Sequence, residues 1–239
     1  MGFTKPIEQY LFSDLLIKIQ VFMYLKYIIR EECNMKKGMT ILYKVHNNLY
    51  VNLTNRCPCA CTFCLRQNMD TVTHDDQTLW LEHEPTVEEV KAEFANFDMS
   101  QYEEVVFCGY GEPTERLDAL LEIAKFVKEN YRKPIRINTN GLANLIWKRD
   151  VTPELKGLVD TISISLNTPN ADRYHELVRS KFGDQSFDAM LSFAKEATQY
   201  VPHVVLTTVD TTLTKEEEAQ CRKICEDLGV TYRIRPWED

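Results

Sequence analysis

From residue 39 onward, apolar positions follow two alternating rhythms. Short runs rich in β-branched residues occur at 49–54, Val105–Cys108, Ile135–Ile137, Thr161–Leu166, Val204–Val209 and Thr231–Ile234. Near-continuous apolar runs of this length, bounded by polar or turn-forming residues, are how buried parallel strands read. Between them the spacing lengthens to that of a helix. Thr86-Val-Glu-Glu89 has the residues of a capping box, with Val90, Phe94 and Phe97 as the stripe behind it. Leu117, Leu120, Leu121, Ala124 and Val127 form a second stripe, and Phe187, Met190, Leu191 and Ala194 a third. Thr214-Lys-Glu-Glu217 opens a last helix whose apolar face is Cys221, Ile224, Cys225 and Leu228. Core packing is therefore the better reading of Cys221 and Cys225 than a metal site.

Strands alternating with helices imply a parallel sheet with helical crossovers. Six such units are too few for a closed eight-stranded barrel. The expected fold is α/β, a partial (β/α)6 TIM-like barrel with parallel strands, in a single domain over residues 39–239. Leu65 to Glu84 is too long for a plain connection, so it is expected to be functional or mobile.

Residues 1–38 precede the pattern and are expected to lie outside the fold. Leu11 to Ile29 is apolar, but Asp14, Lys18 and Lys26 interrupt it. It reads as an amphipathic helix rather than a membrane span, and no small-residue cleavage site marks a signal peptide. Arg30-Glu31-Glu32 is encodable as a bacterial ribosome-binding sequence, with Met35 and Met39 downstream as starts. The expectation is that residues 1–34 are an upstream extension of the true start.

Composition narrows the function. Hydrophobic residues make up 44% and charged ones 27%, enough for an ordinary core. The net charge of −8 argues against a general nucleic-acid surface. Of the 8 cysteines, Cys57, Cys59, Cys61 and Cys64 crowd into one loop, where they cannot all pair with one another without strain. Such crowding points to metal ligands in a reducing cytoplasm.

Cys57-x3-Cys61-x2-Cys64 has the spacing that holds three irons of a four-iron cluster and leaves the fourth open. The loop follows a strand, so its ligands project from a strand's C-terminal end, where α/β folds build active sites. Thiolates also suit zinc, and all four cysteines together suit a fully ligated electron-transfer cluster. A zinc knuckle wants a second ligand pair that the chain lacks, and one-residue spacing wraps a cubane awkwardly. The remaining motifs sit at later strand ends: Cys108-Gly-Tyr110-Gly111-Glu112-Pro113, Asn138-Thr-Asn-Gly141 and Ser163-Ile-Ser165-Leu-Asn167. Alone, each also reads as a turn or a half-buried strand. The five histidines show no ligand spacing; His74 and His83, in the long loop, are the exceptions to watch.

The cysteine spacing, with Phe63 just before the last cysteine, resembles the signature of the radical S-adenosylmethionine superfamily. The resemblance implies that Cys57, Cys61 and Cys64 hold a [4Fe-4S] cluster whose open iron chelates the methionine amine and carboxylate of S-adenosylmethionine. Cys59 is then a non-ligating extra. Phe63 would lie near the adenine. Tyr110-Gly111-Glu112 is similar to the superfamily's Gly-Gly-Glu segment, with Tyr110 in place of the first glycine. There Gly111 permits close backbone approach to a ligand, and Glu112 accepts from the ammonium. Asn138 would contact the ribose, Ser165 and Asn167 would face the cofactor, and Arg179 would pair with the methionine carboxylate.

The implied activity is reductive cleavage of S-adenosylmethionine to methionine and a 5′-deoxyadenosyl radical, which abstracts hydrogen from an unknown substrate. The alternative is a noncatalytic Fe–S protein for electron transfer or redox sensing. A one-electron reductant such as flavodoxin or ferredoxin is the implied partner. More narrowly, Asn52-Leu-Thr-Asn-Arg-Cys-Pro-Cys-Ala-Cys-Thr-Phe-Cys-Leu-Arg66 resembles the TatD-linked radical SAM proteins. A TatD-type hydrolase partner follows by association only. No C-terminal cysteine cluster for auxiliary Fe–S centres is present, which suits a minimal enzyme similar in size to activating enzymes or carboxy-deazaguanine synthases.

Overall fold

The computed structural model describes residues 39–66 and 78–236. The expected helix at 11–29 and His74 lie outside the described residues. All six expected strands form: β2 (Asn48–Val51), β3 (Val105–Phe107), β4 (Ile135–Thr139), β5 (Thr161–Ser165), β6 (His203–Val209) and β7 (Thr231–Arg235). They pair in parallel, in chain order. The sequence pattern did not reveal β1 (Leu42–Val45), which pairs antiparallel with β2. A two-residue turn joins them, with His46 at φ 51°; tight hairpins need such positive φ to match strand twist. The sheet is thus mostly parallel, a partial (β/α)6 barrel with one antiparallel strand added at its edge.

The crossovers are α1 (Val87–Glu93), α2 (Leu117–Tyr131), α3 (Ala143–Trp147), α4 (Ala171–Val178), α5 (Gln185–Ala197) and α6 (Lys215–Leu228). Both capping boxes form. Thr86 accepts from the Glu89 amide while Glu89 accepts from the Thr86 amide at 2.7 Å, and Thr214 and Glu217 exchange the same pair of bonds. Phe97 falls outside α1, because the helix tightens at Phe94–Asn96 into a 3-10 turn.

One face of the sheet is apolar and sealed by helices. Leu49, Val51, Val105, Phe107, Ile135, Ile137, Ile162, Ile164 and Leu206 are fully buried there, with Leu117, Leu120, Ile123 and Val127 of α2 and Met190 and Phe193 of α5. Cys221 and Cys225 belong to this core. Burial pushes their thiols up to about 12 and about 11, which leaves them protonated and inert. Because side chains alternate along a strand, Arg136 and Asn138 of β4 and Thr161, Ser163 and Ser165 of β5 occupy the opposite, concave face. That face is mostly polar, with Val106 and Val205 among its side chains, unlike the continuous apolar face packed by helices. Among the described residues, no helix is long and apolar enough to cross a membrane.

Candidate active site

β2 runs directly into the cysteine loop, and three neighbours hold that loop in place. Asn55 grips Leu81 from both sides, donating to its carbonyl at 2.8 Å and accepting its amide at 3.1 Å. Arg56 forks onto Glu84 through Nε at 2.6 Å and Nη2 at 3.1 Å. The end of the long 65–84 segment is therefore stapled to the loop. On the other side, the amides of Ala60 and Thr62 donate to the Val178 and Leu177 carbonyls at the end of α4, at 3.1 and 2.9 Å. The third neighbour is the β3 turn, where the Glu112 amide donates to the Arg56 carbonyl at 2.8 Å.

Within the loop, the sulfurs of Cys57, Cys59 and Cys61 form a hydrogen-bonded row with Cys59 in the middle. The Cys59 side chain holds Cys57 and Cys61 below the ordinary thiol range, and the Arg179 charge adds to this at Cys61. The same two neighbours push Cys59 itself upward. Burial raises Cys64. From the β4 turn, Asn140 Nδ2 donates to Cys59 Sγ at 3.6 Å and to Cys57 Sγ at 4.0 Å.

Among the described residues, no three His, Cys, Asp or Glu side chains are arranged to hold a single metal ion. A cubane cluster asks for something else, one thiolate on each of several separate irons. The donor set fits that demand. It consists of soft, half-buried thiols, two of them biased toward thiolate, with an amide N–H aimed at sulfur.

The β3 turn makes two sets of contacts that the sequence did not foretell. Gly111 does allow a close approach, but the approach is to the cysteine loop. A Cβ there would lie 2.2 Å from the Thr54 carbonyl oxygen and 2.7 Å from that of Arg56. Gly111→Ala must therefore push the β3 turn off the loop. We expect it to cost about 1–3 kcal/mol as an overpacked contact and to lower iron retention on anaerobic reconstitution. Thermal denaturation and iron analysis check this; an alanine variant with unchanged stability and iron would overturn it.

Glu112 makes the second set. Its carboxylate is engaged by four donors inside the protein. Oε1 accepts from Thr114 N at 3.1 Å, Thr114 Oγ1 at 2.8 Å and Thr139 Oγ1 at 2.7 Å, and Oε2 accepts from Asn140 N at 2.8 Å. Burial raises its pKa against the pull of these four donors. Glu112 thus caps the turn that opens α2 and ties the β3 turn to the β4 turn. It bears on the sulfur row through Asn140 and through its own charge, which raises Cys57.

The other candidates are spread around the strand ends. Tyr110 packs edge-on against Trp80, 5.4 Å between ring centres, and Arg66 lies over the same indole at 4.7 Å. Asn138 accepts from Arg136 at 3.2 Å and pairs with the Cys108 thiol on the concave face. Ser165 is half-buried at the end of β5. Asn167 follows at φ 65°, a left-handed geometry that Asn tolerates, with Nδ2 3.5 Å from the Ser165 carbonyl. Phe63 is 43% exposed on the loop. Arg179 caps α4 in a left-handed conformation, exposed but close enough to bias Cys61. His83 binds Glu89 at the surface at 3.1 Å and takes no part. Two residues missing from the sequence-based set stand out: Asn140, the sulfur donor, and Cys108, a thiol facing the lumen. Both lie inside motifs the sequence marked, at positions where periodicity says nothing of direction.

The family model of the radical SAM superfamily matches residues 51–231. A probable GTP 3′,8-cyclase from Methanocaldococcus jannaschii is 23% identical over 189 residues, covering 78% of this chain and 57% of that protein. Molybdenum cofactor biosynthesis protein 1 of Drosophila melanogaster is 28% identical over 136 residues, covering 57% of this chain and 22% of that protein. The chain thus spans from about a fifth to just over half of these relatives. Streptococcus suis SuiB bound to S-adenosylmethionine superposes with a TM-score of 0.57 at 14% identity, covering 81% of this chain and 41% of that one. The likeness supports the partial barrel. The superfamily's cofactors are a [4Fe-4S] cluster and S-adenosylmethionine, the pair that the sulfur row and the adjoining strand ends suit. With its family model matched across most of its length, the chain belongs to the radical SAM superfamily.

Proposed function

We propose that the chain is an enzyme that reductively cleaves S-adenosylmethionine and abstracts hydrogen from a substrate. Cys57, Cys61 and Cys64 hold the [4Fe-4S] cluster in this reading, and Cys59 stays a protonated neighbour. Bound there, the cluster supplies the electron for cleavage, and the protein's task is to orient the cofactor and exclude stray hydrogen donors. Tyr110, Gly111 and Asn138 border the cofactor from β3 and β4, Ser165 and Asn167 from β5, and Phe63 and Arg179 from the loop's outer side. Glu112 serves through the backbone and Asn140 rather than by direct contact.

The observation that carries the reading is convergence. One carboxylate joins the turns after β3 and β4, and the second of those turns donates an N–H to the cysteine sulfurs. A lone metal-binding loop needs no such coupling to later strands.

Residues 39–239 form the catalytic core in this reading, with 1–38 outside it, and a flavodoxin or ferredoxin supplies the electron. The likeness of the run from Asn52 to Arg66 to the TatD-linked radical SAM proteins supports membership of that group, with a TatD-type hydrolase as a partner by association only. Anaerobically reconstituted protein given dithionite and S-adenosylmethionine should release 5′-deoxyadenosine. Cluster formation without cleavage would favour the electron-transfer alternative, and protein purified with zinc and no iron would sink both.

A further inference from the structure

β7 alternates like any strand. The Tyr232 hydroxyl lies 2.7 Å from that of Thr208 and beside Cys221, which marks the helix-packed face. Thr231, Arg233 and Arg235 therefore turn to the concave face. The register carries them into the lumen's polar layers, since Arg233 pairs with Thr207, and Thr207 with Ser165. Arg235 is the last residue of the strand, at the mouth where the other strand ends gather.

Three arginines bear on the lumen, Arg136, Arg233 and Arg235, and the circumstances of Arg136 and Arg235 differ. Arg136 is answered by Glu104, with Nη2 at 2.7 Å and Nε at 3.0 Å. Arg235 is not. Its Nε is buried and has no hydrogen-bond partner among the described residues. Asp210, whose amide bonds the Arg235 carbonyl, turns its own Oδ1 to the Thr211 amide at 2.8 Å. Four strands away across the curved sheet, the Arg235 charge works against the burial that raises the Cys108 thiol, in keeping with the inward turn that alternation along β7 gives this residue.

A desolvated guanidinium N–H without an acceptor is a cost that a native fold seldom carries without reason. A guanidinium fork is matched by a planar or tetrahedral oxyanion that accepts two N–H bonds. We propose that the substrate of this enzyme carries a carboxylate or phosphate group, and that Arg235, backed by Arg233, receives it on the β7 side of the lumen. This rests on the reading of the lumen as a substrate pocket. It is separate from the methionine carboxylate of the cofactor, which belongs at the cluster beside β2 and β3. The substrate class is thus a small anionic metabolite or a phosphorylated one, held so that its body lies between Arg235 and the cysteine loop.

The test is equilibrium dialysis of the reconstituted full-length protein, saturated with S-adenosylmethionine, against pyrophosphate and in parallel against malonate. Saturable binding of one equivalent is expected for at least one probe, and the probe preferred names the group. Arg235→Gln should weaken that binding at least tenfold, with iron content and circular dichroism unchanged, while Arg235→Lys keeps part of it. No saturable binding, or binding that Arg235→Gln leaves intact, overturns the proposal. So does an Arg235→Gln variant that instead loses affinity for S-adenosylmethionine. Release of 5′-deoxyadenosine by the wild-type protein is measured separately. Its failure would sink the radical-enzyme reading without touching the dialysis result.

Discussion

Replacing Cys61 with alanine should bring 5′-deoxyadenosine release down to background, whereas replacing Cys59 should not. The two residues are two positions apart, with Ala60 between them, and their side chains interact, so proximity alone does not separate them. Their protonation does. Cys57 and Cys61 are held below the ordinary thiol range while Cys59 between them is pushed up, which favours the outer two as thiolate ligands and Cys59 as their neighbour. Outer partners of metal ligands typically matter by about 10–100-fold. Cys59→Ala is therefore expected to retain iron and to lose about tenfold in cleavage, through slacker positioning of Cys57 and Cys61. Iron and sulfide analysis beside the cleavage assay checks both halves. A Cys59→Ala protein without iron, or a Cys61→Ala protein with full cleavage, would reverse the assignment.

The second large effect falls on stability. Glu112→Ala should cost about 3 kcal/mol, because it leaves the buried amides of Thr114 and Asn140 without their acceptor. It also frees the β4 turn, so Asn140 no longer aims at sulfur. Glu112→Gln keeps one oxygen for the Thr114 and Thr139 donors but points an amide N–H at that of Asn140. It should lie between alanine and the native residue. Denaturant unfolding measures the order. Equal stability of all three would mean that Glu112 is not the tie described here, and loss of S-adenosylmethionine binding without loss of stability would restore it as a direct contact.

What the sequence made legible follows from what periodicity encodes. The runs at 105–107, 135–139, 161–165, 203–209 and 231–235 are buried on a helix-packed face, so burial wrote itself into composition. The capping boxes at Thr86 and Thr214 were legible because a cap is local, involving residues three apart. β1 was not legible. Leu42-Tyr-Lys-Val is four residues long, and its strand character comes from pairing with β2, not from its own pattern.

The site shows the same division. The loop's cysteines could be read from spacing, but the partners of Gly111 and Glu112 could not. Gly111 meets the carbonyls of Thr54 and Arg56, more than 50 positions earlier, and the Glu112 acceptors are claimed from 27 and 28 positions later. No local rule reports such distances. Arg235 is a further case. As one of several charged residues near the end of the chain it reads as solvated, and only strand register turns it inward.

The clamp between the cysteine loop and α4 has an electrical consequence. The amides of Ala60 and Thr62 are already committed to the Val178 and Leu177 carbonyls. They cannot also donate to cluster sulfur, which is the usual way a fold raises a reduction potential. The carbonyl end of α4 that receives them carries the negative pole of the helix dipole and faces the same loop. Both influences resist adding an electron. Whatever eases reduction of a cluster seated here would therefore come from the Asn140 side chain and the Arg179 charge, not from the loop's own amides.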